Sequence, residues 1–137
     1  ILSTEKHYVH TLDVMMEKYQ KPILEEIKNN DTLDVNKAEV RQIFGNLNTI
    51  LNVNNQLLRD LTTRMENWNE EETCLGDLFL DFAPYFRMYN QYANQYDEAQ
   101  TILSQNLKKP SFNELLLRLD ETTDLAPRLE GLLIAPI

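Results

Sequence analysis

Residues 40–68 read VRQIFGNLNTILNVNNQLLRDLTTRMENW, and this run decides the fold class. Its apolar members Val40, Ile43, Phe44, Leu47, Ile50, Leu51, Leu57, Leu58, Leu61, Met65 and Trp68 recur every three or four positions. That is the period of one face of an α-helix and not the alternation of a half-buried strand. Unbroken, the stripe would extend roughly 45 Å at ~1.5 Å per residue. Just ahead of it, Asn36-Lys37-Ala38-Glu39 supplies a capping side chain with an acid three positions on, which is the pattern of a capping box. Gly45 and the patch Asn52, Asn54 and Asn55 are where a bend is expected.

Working outward, the N-terminal side carries a first helix over about Leu2 to Gln20. Pro22 is expected to disturb it, before the short apolar patch Ile23, Leu24 and Ile27 and a polar loop from Asn29 to Val35. On the C-terminal side, Asn67 to Glu72 reads as a charged loop with Thr73 as the next cap. Leu75, Leu78, Phe79, Phe82, Phe86, Tyr89, Tyr92 and Tyr96 form a third stripe, kinked at Pro84. A fourth segment holds Ala99, Ile102, Leu103 and Leu107 and stops at Lys108-Lys109-Pro110. Ser111-Phe112-Asn113-Glu114 looks like a second capping box, opening a short helix with Phe112, Leu115, Leu116 and Leu119 on one side. After the loop from Asp120 to Arg128, Leu129, Leu132, Leu133, Ile134 and Ile137 begin a further apolar helix. No repeat of fixed period occurs. The expected architecture is all-α: an elongated bundle of long helices joined by short loops.

Composition supports this. The chain has 137 residues, one domain or a piece of one, and 42% of them are hydrophobic, enough to fill a core. Three glycines and five prolines leave little punctuation for a many-stranded protein. The formal charge is −9, and from Glu66 to Gln100 eight carboxylates face a single cation, Arg87. Such a surface repels phosphate backbones and anionic lipid, so neither nucleic acid nor direct membrane contact is expected, whereas a basic protein surface would be attracted. Cys74 is the only cysteine, which fits a reducing, cytoplasmic compartment. No apolar run reaches the ~20 residues of a membrane span. Ile1 in place of Met suggests a piece excised from something longer.

Few residues offer chemistry. His7 and His10 lie three apart on a helix, but two ligands do not make a metal centre, and none is expected. The glycines at 45, 76 and 131 form no phosphate loop, and no cofactor is expected. Cys74 follows three glutamates, which would blunt its thiol as a nucleophile. Glu70-Glu71-Glu72 reads as a solvated loop, and the Tyr89, Tyr92, Tyr96 row as packing rather than a platform for bases. Glu5 is the exception. The apolar face of the first helix comprises Ile1, Leu2, Tyr8, Val9, Leu12, Met16 and Tyr19, and Glu5 stands in its middle. A carboxylate there needs a cation from elsewhere in the fold, or else the face projects beyond the core to meet another protein.

Four blocks carry a family resemblance. Ile1-Leu2-Ser3-Thr4-Glu5-Lys6-His7-Tyr8-Val9 resembles the first conserved region of Dbl-homology domains, LL-x-T-E-x-x-Y-V. Val40-Arg41-Gln42-Ile43-Phe44-Gly45-Asn46-Leu47 resembles their I-x-x-I-F-G-N-I segment. Leu75-Gly76-Asp77-Leu78-Phe79-Leu80-Asp81-Phe82-Ala83-Pro84 is similar to I-G-D-L-F-L-x-F-A-P, and residues 89–97 continue in register. Leu132-Leu133-Ile134-Ala135-Pro136-Ile137 resembles the start of the third conserved region, L-L-I-x-P-I-Q-R.

The resemblance implies a guanine-nucleotide exchange factor for a Rho-family small GTPase, with no covalent chemistry of its own. It implies that the first and third regions grip the GTPase switches, which puts Leu2, Thr4, Glu5, Ile134 and Pro136 at the GTPase-binding surface. Glu5 would contact and displace the first switch. The rest of the third region and the final helix would lie after Ile137, making residues 1–137 a partial domain, often followed by a pleckstrin-homology domain. The alternative function is a catalytically silent helical scaffold that only binds partners.

Overall fold

The structure, a computed structural model, describes residues 2–29, 33, 35–68, 75–123 and 128–137. Every element among these residues is helical. Helix α1 is Leu2–Val14, followed without interruption by a π-helical stretch, Met15–Gln20, and by α2, Lys21–Asn29. Next come α3, Lys37–Phe44, and α4, Leu47–Glu66. Helix α5, Gly76–Phe82, passes through a 3-10 turn at Ala83–Phe86 into α6, Arg87–Leu107. Helix α7 is Pro110–Asp120, and α8 is a single turn, Leu129–Leu132. The 20 residues of α4 and 21 of α6 make each of them about 30 Å long, the dimension of an elongated bundle. Among the described residues no helix is long and apolar enough to cross a membrane.

The main packing pairs are α1 on α4 and α3 on α6. They enclose one large core in which Leu12, Met15, Tyr19, Val40, Phe44, Leu47, Ile50, Leu103 and Phe112 are fully buried. A smaller cluster of Leu57, Leu61, Leu78 and Phe82 joins the far half of α4 to α5. Met65 and Trp68, the last members of the stripe, run off the core and are exposed.

The capping box at Asn36 forms as expected. Asn36 Oδ1 accepts the Glu39 amide at 2.8 Å, and Glu39 Oε1 accepts the Asn36 amide at 3.4 Å. Glu39 then does more than cap, because its second oxygen accepts a bond from Asn106 Nδ2 at 3.0 Å and so ties α3 to α6. The bend at Gly45 also appears, with φ 57° and ψ −137°, where an L side chain is strained. The neighbouring Asn46 donates from Nδ2 to the Met88 carbonyl at 2.9 Å, fixing the α3–α4 corner on α6. An added Cβ at Gly45 would meet Gln95 Oε1 at 3.5 Å, an ordinary contact. Gly45→Ala should therefore cost about 1–3 kcal/mol through the backbone alone. An unchanged denaturation midpoint would refute that account.

Five expectations are corrected. Pro22 does not break the first helix. Proline clashes with the carbonyl four residues back, but here the preceding turn is widened, with the Lys21 amide reaching the Met16 carbonyl five residues away. The asparagine patch does not interrupt α4, which is continuous. The third and fourth segments are largely one helix, since α6 runs unbroken through Tyr89, Tyr96, Ala99 and Leu107. The second capping box does not form: Pro110 takes the first helical position, behind an extended Lys109, and Ser111 lies inside the first turn. The apolar run from Leu129 makes only one helical turn and then consecutive tight turns, Ala135 N–H to the Leu132 carbonyl and Ile137 N–H to the Ile134 carbonyl. Pro136 lacks a donor and disfavours a helical Ala135, which stops propagation. The 3-10 turn at Pro84 and the break before Pro110 fall where expected. Ile1, Thr73, Cys74 and the triple glutamate lie outside the described residues.

Candidate functional site

The site starts on α1. Its face toward α4 buries Val9 and Leu12, and one turn toward the N-terminus Tyr8 and Glu5 emerge half-buried. Tyr8 donates its hydroxyl proton to the Tyr89 oxygen at 3.1 Å. The same oxygen accepts a second bond, from Asn54 Nδ2 at 2.6 Å, while Asn54 also reaches the Ile50 carbonyl at 2.8 Å. One turn along α6, the buried Tyr92 donates to the Leu133 carbonyl. A line of side chains therefore runs from Glu5 through Tyr8, Tyr89 and Tyr92 to the C-terminal turn, joining the two ends of the chain across α6.

Glu5 sits at the end of that line without a counter-ion. Its Oε1 is shielded from solvent and has no hydrogen-bond partner, and no cation pairs with it among the described residues. Burial pushes its carboxyl above the ordinary value of 4.5. Burial likewise raises the Tyr8 and Tyr92 phenols, which act here as neutral hydrogen-bond donors. The arrangement has no nucleophile paired with a base. It presents a carboxylate acceptor in a half-dry setting, beside a hydrogen-bonded tyrosine pair.

A model of the RhoGEF domain family matches residues 1–137. The chain belongs to the RhoGEF domain family. Among similar proteins, the kinase and exchange factor for Rac B of Dictyostelium discoideum is 32% identical over 111 residues, 81% of this chain and 10% of that protein. The guanine exchange factor for Rac 30 of the same organism is 28% identical across the whole chain, which spans 8% of its length. The phosphatidylinositol 3,4,5-trisphosphate-dependent Rac exchanger 1 protein of Mus musculus is likewise 28% identical over the whole chain, again 8% of that protein. This RhoGEF segment thus covers about a tenth or less of those relatives. A solved structure of the Vav1 exchange factor, from work on its PH and C1 domains, matches with a TM-score of 0.86. At 21% identity over 99% of this chain and 35% of that one, it shows the shared fold.

The residues singled out from sequence are only partly brought together in this RhoGEF domain. Thr4 is exposed beside Glu5. Ile134 is 53% exposed and follows the Leu133 carbonyl held by Tyr92, with Pro136 half-buried in the next turn. Leu2 instead packs against the smaller cluster of Leu57, Leu61, Leu78 and Phe82. His7 and His10 are both exposed. Sequence reasoning missed the Tyr8–Tyr89–Asn54 network. A signal was available: Asn54 falls between Ile50 and Leu57 on the inward face of α4, where a polar side chain must find partners.

A pH test follows from Glu5. A carboxyl whose folded value is raised favours folding below about pH 4.5, and that contribution is lost as pH rises through the folded value. Glu5→Gln should therefore match or exceed the original stability at pH 7, by up to about 1 kcal/mol after solvent screening, with the gap closing toward pH 4. A loss of stability at pH 7 would mean that the charged form is held by a bond within the fold.

Proposed function

We propose that this RhoGEF domain binds a Rho-family small GTPase and promotes release of its nucleotide. The observation that carries the reading is Glu5, a half-buried carboxylate on a helix face with no partner of its own. In isolation it costs the fold a little. Against a donor on a partner surface it becomes a charge-assisted hydrogen bond in a dry setting, where such bonds are strongest. Thr4 and the exposed Ile134, with Pro136 and the half-buried Leu2, would complete the GTPase contact around it.

The chemistry is differential binding. No bond of the nucleotide is made or broken. The domain holds the GTPase in the conformation whose nucleotide and magnesium sites are spoiled, so the nucleotide-free state is stabilised and release is faster. An adjoining pleckstrin-homology domain, as in relatives that carry one, would tune this. The test is release of a fluorescent nucleotide from a panel of Rho-type GTPases, with this chain and with the full-length protein. Acceleration on at least one Rho-type GTPase is the expected result. No acceleration by either protein, with binding retained, would establish the silent scaffold instead.

A further inference from the structure

Away from the Glu5 line, a groove of about 420 Å³ lies between the stretch from Met16 to Lys28 and the α3–α4 side. Its floor is apolar, formed by the half-buried Met16 and Leu24. Lys21 and Lys28 stand on one wall, Lys37 and Arg41 on the other. In a chain with 13 cations and a net charge of −9, four cations around one groove are a local reversal of sign. Glu17 and Glu25 also reach the groove, but only Lys21 is engaged, with Glu17 at 3.7 Å. Among the described residues Lys28, Lys37 and Arg41 form no ion pair.

Their placement is not explained by helix stability alone. Lys28 and Arg41 lie in the last turns of α2 and α3, where a cation suits the helix dipole. Lys37 is the first residue of α3, at the positive end, where a cation is disfavoured. The wall from Met16 to Lys28 is about 18 Å long at ~1.5 Å per residue, room for roughly three turns of a second helix.

We propose that this groove is a docking site for an acidic amphipathic helix of a partner protein, with its apolar side chains on Met16 and Leu24 and its carboxylates toward Lys28, Lys37 and Arg41. A discrete acidic segment fits better than an extended polyanion. A phosphate polymer or an anionic lipid sheet would also pass over Glu17, Glu25 and the rest of a −9 chain, whereas a short helix presents acid only where the cations are. The groove contains none of the residues assigned to the GTPase, so a partner seated there leaves that surface open.

The probe is a fluorescent twelve-residue helical peptide with leucines at positions three and four apart and glutamates flanking them. Its binding to this chain is read by anisotropy, beside a lysine counterpart and vesicles of anionic and of neutral lipid. The acidic peptide alone should bind, with affinity falling several-fold as salt rises from about 50 to about 300 mM. Lys28→Glu/Lys37→Glu/Arg41→Glu should weaken it by about ten-fold or more and transfer binding to the lysine peptide, with a melting temperature near that of the original chain. If the charge-reversed protein unfolds, Met16→Glu and Leu24→Glu, made singly, should each abolish peptide binding in a folded chain. Binding of anionic vesicles without the peptide, equal binding of both peptides, or no binding at millimolar peptide overturns the proposal.

Discussion

Glu5→Ala is expected to slow GTPase nucleotide release by on the order of 30-fold or more while leaving the melting temperature of the domain nearly unchanged. Truncating one partner of a charge-assisted contact at a desolvated interface costs ~2–5 kcal/mol. If that contact exists only in the nucleotide-free complex, the loss falls on the exchange rate. The stability half of the expectation comes from the fold itself. Glu5 Oε1 has no donor and no cation, so its removal breaks no bond among the described residues. A carboxylate buried against its own Arg or Lys would behave oppositely, with ~3–5 kcal/mol lost from the fold when the pair is broken. Unfolding and exchange measured on that one variant separate the two cases. A large loss of stability with normal exchange per folded molecule would remove Glu5 from the site.

Local signals in the sequence translated well into structure when they needed no neighbour. The Asn36 capping box closes within four residues, so its pattern and its geometry are the same statement. The apolar stripe of α4 likewise specifies which face is buried, down to Leu47, Ile50, Leu57 and Leu61. Signals that depend on context misled. Pro22 is tolerated because a π-helical turn opens ahead of it, a register change that no composition marks. Ser111 could have capped, but Pro110 in front of it fits the first helical position better. Leu33 and Val35 fall in a stretch that reads as a polar loop, yet both side chains are buried in the large core.

The site shows the same division. Glu5 stood out from sequence because a charge interrupted an apolar face, and the structure leaves it half-buried and unpaired. Tyr8, Tyr89 and Asn54 did not stand out, because their meaning lies in a hydroxyl meeting a hydroxyl across 81 positions of sequence. Ile134 and Ile137 look from the sequence like the start of a helix. They are a pair of turns, held where Tyr92 grips the Leu133 carbonyl.

Phe44→Ala is expected to have the largest effect on stability, about 3–5 kcal/mol, enough to unfold much of a marginal domain. Phe44 is fully buried as the last residue of α3, immediately before the Gly45 corner, and Leu47 is fully buried just past it. The two side chains plug the core on either side of a backbone turn that is itself fixed by Asn46 on α6. That corner cannot collapse freely into the vacated space, because Gly45 turns the chain through a conformation that the flanking residues could not adopt without strain, and Asn46 would lose its bond to the Met88 carbonyl. The cavity term should therefore be nearly fully expressed. Leu117→Ala, at a position 43% exposed on α7, is the control and should shift stability by less than about 0.5 kcal/mol. The effect on exchange should be the reverse of that of Glu5→Ala. At a temperature where enough Phe44→Ala protein is folded, release per folded molecule should approach that of the original chain, since Phe44 is buried away from any partner. If instead exchange per folded molecule collapses with Phe44→Ala, the α3–α4 corner does more than hold the core: it would be setting the position of α6, and with it Tyr89, Tyr92 and the surface proposed to meet the GTPase.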